Sequence, residues 1–175
     1  MRVVFDLGPE DLKQFRAALR RARERVRSAE EFEIVDAAKH ALDSLPIGGA
    51  PPFIRSRIQG VQRLIQMLED EEWALPGPMR IGLVEALCYF SDPDDMIPDH
   101  IGVIGLLDDA IMLELTLKSH QPVLAAYDDF CVFRTALGRA KDDEARHSRA
   151  KLLAKRRATL VMRIRKRYKR IGALA

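Results

Sequence analysis

The sequence predicts an all-α fold of about six or seven helices, and three observations carry that expectation. Helix formers dominate, with 21 Ala and 21 Leu against 3 Thr. Asn is absent, so the Asn-Gly signal of a tight hairpin cannot occur. Apolar residues recur three and four positions apart through most of the chain, which is the period of one helix face. A length of 175 residues with 47% apolar content suits one compact core.

Residues 3–7 read as a short extended segment. Gly8-Pro9-Glu10-Asp11 then gives a proline-first, acid-in-first-turn helix start. Leu12, Phe15, Leu19, Ala22 and Val26 form its seam, with Arg16, Arg20, Arg21, Arg23 and Arg25 mostly on the wet side. Ser28 and Glu31 read as a capping box for a second helix, whose stripe is Val35, Ala38, Leu42 and Leu45. The two are expected to form an N-terminal antiparallel pair. Pro46, Gly48, Gly49, Pro51 and Pro52 break the chain. Ile54, Ile58, Val61, Ile65 and Leu68 make a third stripe, ending in the acidic run 69–72, with Trp73 anchoring the corner.

Pro76-Gly77-Pro78 stops the chain again. A fourth helix carries Ile81, Val84, Leu87 and Cys88 into Tyr89-Phe90 and ends at Ser91. Residues 92–107 hold two prolines and two glycines and no sustained helical period, so they read as a structured connection. It leads to a helix with Ile111, Met112 and Leu115. Pro122 opens another helix through Tyr127, Phe130, Cys131 and Leu137. From 143 to 170 the chain reads as one basic amphipathic helix with Leu153, Leu160, Ile164, Tyr168 and Ile171 on its apolar side.

Charge is segregated along the chain. Residues 145–175 hold 12 Lys+Arg and no acid, whereas residues 1–144 hold 17 basic and 26 acidic side chains. This divides the sequence into an acidic helical domain, 1–144, carrying a motif at about 81–120, and a basic C-terminal helix or tail, 145–175. The longest stretch without a charge, 44–54, has 11 residues, three of them proline, far short of the roughly 20 apolar residues a spanning helix needs. An acid in Met-Arg-Val-Val-Phe-Asp-Leu sits where a signal peptide needs its apolar core, so the expected location is the cytoplasm, with peripheral membrane attachment as the alternative. With Cys88 and Cys131 alone, neither a disulfide framework nor a four-Cys zinc site can form. Both thiols read as apolar packing with no adjacent cation. His40, His100, His120 and His147 are scattered without HExxH spacing and read as surface or hydrogen-bonded side chains. Phosphate-loop, dinucleotide and GxSxG motifs are missing from the sequence, which disfavours the enzyme classes built on them.

The order Tyr89, Pro93, Asp95, Ile97, Pro98, Asp99, Gly105, Asp108, Asp109 resembles the signature of the YkvA-like family, a bacterial domain of unknown function. The arginine-rich N-terminal helices, Glu71-Glu72-Trp73-Ala74-Leu75-Pro76 and Asp129-Phe130-Cys131 also resemble a soluble, longer-chain subgroup. Asp92, Asp94 and His100 depart from the more neutral residues of membrane-associated relatives. The resemblance implies a helical fold and leaves the chemistry open.

Physically, Asp92-Pro93-Asp94-Asp95 has the form of a helix start, Asp108-Asp109 that of another, and Asp99 that of a turn closer. The competing reading gathers Asp92, Asp95, Asp99, Asp108 and Asp109 around one hard cation, Mg²⁺ or Ca²⁺. An EF-hand loop beginning at Asp92 fails, because Met96, Ile97 and Val103 stand where an oxygen ligand, Gly and Glu are required. The enzymatic alternative is metal-assisted hydrolysis centred on Asp95, Asp99, Asp108 and Asp109.

The basic helix supplies an anion-binding set: Arg149, Lys155, Arg156, Arg157, Arg163, Arg165, Lys166, Arg167, Lys169 and Arg170, with Arg146 and Lys151 beside them. Its partner is an acidic protein surface, including a second copy or its own body, or else nucleic acid or an anionic membrane. The leading expectation is a cytosolic, non-enzymatic interaction module in which the aspartate motif is architectural and the basic helix recruits an acidic partner.

Overall fold

A computed structural model describes residues 8–44, 52–91, 111, 113–114 and 117–171. Residues 3–7, Leu45, Met112 and Leu115, and the side chains of Leu12, Phe15, Ile54 and Ile171, lie outside the described part. The fold is all-α, and the described residues contain no strand. We number the helices α1 (Pro9–Ser28), α2 (Glu31–Ser44), α3 (Pro52–Glu69), α4 (Gly77–Phe90), α5 (Gln121–Leu137) and α6 (Asp143–Ile171). Ile111, Leu113, Glu114 and residues 117–119 are also helical and lead into α5.

The centre of the N-terminal half is α4. Met79, Leu83, Val84, Leu87, Cys88, Tyr89 and Phe90 are all buried, so this helix is apolar around most of its circumference. The two N-terminal helices expected to pair directly each take α4 as their main partner. Ala18 and Ala22 give α1 a small-residue face for close approach, while Ile34, Val35, Ala38 and Leu42 bury the matching face of α2. Ile81, expected inside, is 52% exposed. Its neighbours on either side of the helix already supply the packing, and the apolar run leaves it on the outer turn.

The start of α2 also differs from expectation. Ser28 does not cap it; its hydroxyl turns back to Arg25 O at 3.1 Å and belongs to the end of α1. The cap is Glu30, whose N–H donates to Glu33 Oε2 at 3.1 Å. Glu31 is thereby released to bind Arg80, whose Nε lies 3.0 Å from both carboxylate oxygens.

Between α3 and α4 the chain makes one further turn. Asp70 Oδ1 accepts the N–H groups of Glu72 and Trp73 at 3.1 and 3.0 Å, and Ala74 N closes the turn on Asp70 O at 2.8 Å. Ala74 sits at φ 40°, in the left-handed region. The turn drives Trp73, fully buried, against Tyr127 and Phe130 of α5, with ring centroids 5.7 and 5.1 Å apart. At the far end of α5, Gly138 at φ 66° reverses the chain. Asp142 Oδ1 then accepts Ala145 N at 2.7 Å to start α6.

Ala74 is exposed, so a glycine there loses little packing and relieves the left-handed strain. Ala74→Gly is expected to raise stability by about 1 kcal/mol, seen as a higher urea midpoint with an unchanged slope. Trp73→Ala is expected to cost about 4 kcal/mol, and Trp73→Phe substantially less because a ring still meets Tyr127 and Phe130.

Candidate interaction surface

The last helix is bound to the body on one side. Leu153, Leu160, Ile164 and Tyr168 are buried, and α6 packs along α5. The Tyr168 hydroxyl reaches Ser119 O at 3.5 Å, and burial raises its pKa above the ordinary phenol value. Three arginines of the predicted anion-binding set are engaged within the chain. Arg149 binds Glu72 with both terminal nitrogens and Gly138 O with Nε at 3.0 Å. Arg163 Nη1 lies 2.7 Å from Asp129 Oδ2. The Arg156 guanidinium stands over the Phe133 ring at 5.5 Å.

These contacts converge on the corner after α3. The Asp70 side chain is only 9% exposed, and its Oδ2 accepts from the Tyr127 hydroxyl at 3.0 Å and from Arg134 Nη1 at 2.7 Å. Arg134 also reaches Glu72, which Arg149 holds from α6. Hydrogen bonding to Arg149, reinforced by Arg134, holds the Glu72 carboxyl below its ordinary range. Burial, reinforced by Asp70, pushes the Tyr127 phenol upward. Cys131 differs from the sequence expectation: Arg134, three residues on, brings Nη2 to 3.6 Å of its sulfur.

The opposite side of α6 faces solvent. At 3.6 residues per turn, Lys151, Lys155, Met162, Lys166 and Lys169 fall along one line away from Leu153, Leu160 and Ile164. All four lysines are exposed, and their ammonium groups have no hydrogen-bond or ion-pair partner among the described residues. Met162 is 57% exposed in the middle of the line, and Arg165 and Arg170 are exposed to either side of it. From Lys151 to Lys169 the stripe is about 27 Å long at 1.5 Å per residue. Lys151, named beside the anion-binding set in the sequence, belongs to this face by helical phase counted from Leu153.

Elsewhere, an open hollow of about 500 Å³ lies between α2 and the end of α3, with Phe32 on its lip. A second, of about 620 Å³, continues it along α2 past Lys39 to Asp43. His40 Nδ1 meets Asp36 O at 2.9 Å, and His120 Nδ1 meets Ser119 Oγ at 2.9 Å, while His147 is exposed. The proposed cation ligands Asp92, Asp95, Asp99, Asp108 and Asp109, like Asp94 and His100, lie outside the described residues. Among the described residues, no group of three or more His, Cys, Asp or Glu is placed to hold a metal ion. No described helix is long and apolar enough to cross a membrane.

Residues 80–115 match a family described as a protein of unknown function, DUF1232. The matched stretch takes in most of α4 and the aspartate motif and stops before α5 and α6. No curated protein and no solved structure matches the chain.

Glu72 and Tyr127 give stability opposite pH limbs. Glu72 has a lowered folded-state pKa, so its contribution is complete above the ordinary carboxylate value and disappears as pH falls through the depressed one. Tyr127 has a raised pKa, so its contribution is complete below about pH 10 and disappears as pH rises beyond it. Urea midpoints measured across pH are expected to fall on both sides. Glu72→Gln is expected to flatten the acid limb, and Tyr127→Phe to lessen the alkaline limb, to which the raised Tyr168 also contributes.

Proposed function

We propose that this chain is a YkvA-like, non-enzymatic interaction module of the cytoplasm, whose aspartate motif is architectural and whose outer α6 face binds an acidic partner. One observation carries the reading. The apolar side of α6 is spent on the chain's own core, while Lys151, Lys155, Lys166 and Lys169 remain exposed in a row.

That division weighs the three classes of anion differently. An amphipathic helix lying in a membrane interface must bury its apolar face in lipid, and here that face holds Leu153, Leu160, Ile164 and Tyr168 against α5. Single-stranded nucleic acid is bound through aromatic platforms, and Tyr168, the aromatic residue of α6, is itself buried. A carboxylate-bearing surface needs only complementary charge in register, which the stripe supplies. Arg149, Arg156 and Arg163 serve to seat the helix, and the recruiting charges are Lys151, Lys155, Arg165, Lys166, Lys169 and their exposed neighbours.

Fluorescence anisotropy of a labelled polyglutamate peptide tests this with the full chain. Replacing Lys151, Lys155, Lys166 and Lys169 together by Gln is expected to weaken binding at least about tenfold at low salt. Replacing the exposed Arg16, Arg20, Arg21 and Arg27 of α1 removes the same charge and is expected to leave most of the affinity. Equal losses in the two variants would reduce the effect to net charge and overturn the assignment to α6. Tighter binding to duplex DNA or anionic vesicles than to polyglutamate at matched salt would overturn the choice of partner.

A further inference from the structure

We propose that the acidic partner of the α6 stripe is a second copy of this chain, with the stripe seated in the hollow along α2. The inference rests on the reading of α6 given above and adds the identity of the surface it meets.

The hollow is built to accept cations around an apolar patch. Glu31 is neutralised by Arg80 and Glu69 by Lys39, so the bases at this site are already committed. Glu30 and Asp36 remain exposed on the rim, with only a 3.6 Å contact from His40 to Asp36, and Asp43 extends the acidic edge into the second hollow. Between the acids, Phe32 is 71% exposed, a large aromatic surface left in water at the mouth of the hollow. The α6 face has the complementary order, with lysines at both ends and the exposed Met162 at its middle. A thioether on a flexible unbranched chain adapts readily to an aromatic surface. The lengths are also commensurate: Glu30 to Asp43 covers about 20 Å of α2 against about 27 Å for the stripe.

The two surfaces cannot meet within one molecule. Burial of Leu153, Leu160 and Ile164 on α5 fixes the stripe on the far side of α6, pointing away from the body that carries α2. A chain bearing both an acidic hollow and an outward basic stripe therefore satisfies them only between copies. A single contact of this kind is head-to-tail, and two reciprocal contacts close a twofold dimer. Its charges are exposed, so the association weakens as salt screens them.

Sedimentation velocity of the full chain tests the contact. The weight-average sedimentation coefficient is expected to rise with concentration below about 50 mM salt and to lose that dependence near about 500 mM. Reversing the stripe, with Lys151, Lys155, Lys166 and Lys169→Glu, is expected to abolish the rise. So is reversing the rim, with Glu30→Lys and Asp36→Lys. A mixture of the two reversed proteins restores opposite charge at both surfaces and is expected to associate again. The net-charge control reverses Arg16, Arg20, Arg21 and Arg27 of α1 instead; it removes the same charge as the stripe reversal but keeps stripe and rim, and is expected to retain the rise with concentration. Phe32→Ala is expected to weaken the wild-type association about threefold to tenfold without changing the salt slope. Circular dichroism melts verify that each variant is folded. A wild-type chain that stays monomeric at low salt overturns the inference, as does a mixture that fails to associate or an α1 control that loses the rise as completely as the stripe reversal. Monomeric behaviour together with α6-dependent polyglutamate binding overturns this inference alone; loss of both overturns the preceding reading too.

Discussion

The arrangement depends on one nearly buried carboxylate. Asp70 terminates α3, caps the next turn through Oδ1, and binds α5 through Oδ2 by way of Tyr127 and Arg134. A carboxylate removed from water is costly unless its lone pairs are taken up, and here four donors take them up. Two of those donors are backbone groups of the turn that sets Trp73, and two are side chains of the helix that Trp73 touches. The aromatic packing and the polar network therefore fix the same relation between the α3 corner and α5. Tyr127 also packs beneath the Arg63 guanidinium, 4.7 Å from its ring centroid, and Arg63 pairs with Asp128, which adds a second tie between α3 and α5.

This corner also sets the exposed face of α6. Glu72, two residues beyond Asp70, takes Arg134 from α5 and Arg149 from the first turns of α6. With Arg149 held there and Tyr168 set against Ser119 near the other end, rotation of the helix about its axis is restricted at two separated points. The lysine row is outward because the opposite side is fixed this way. The polar corner and the binding surface are thus connected through helix phase, with no direct contact between them.

Much of the architecture was legible because helix periodicity is a local property. The 143–170 segment, its four buried apolar residues and the stop at Ser91 follow from patterns within one segment, and Trp73 is buried at the corner it is expected to anchor. What escaped depends on residues far apart in sequence. Arg134 is 64 positions from Asp70, and Arg149 is 77 from Glu72, so no local pattern marks either pair. The Ser28 capping box is absent for a different reason, since the Glu33 carboxylate takes the Glu30 N–H two positions later and Ser28 is drawn to its own helix. Ile81 was misplaced because an almost continuously apolar helix has no reliable period. The aspartates from Asp92 to Asp109 lie outside the described residues, so their reading still rests on sequence chemistry alone.

The division of cation types on α6 bears on the kind of recognition its outer face supports. All four of its lysines are exposed, whereas the inward contacts use Arg149, Arg156 and Arg163. A guanidinium is planar and carries several fixed donors, so it can grip a carboxylate and a carbonyl together, as Arg149 does, or lie over a ring, as Arg156 does. An ammonium on a flexible stem behaves as a mobile point charge with little directional preference. Arginine therefore supplies the geometric definition that seats the helix, and lysine supplies a compliant field along its outer side. A surface of that kind gains encounter rate and charge selectivity, while its positional specificity must come from shape and from the apolar interruption at Met162. A flat polyanion would use only the field, whereas a grooved acidic surface with an exposed apolar centre would use both features of the stripe.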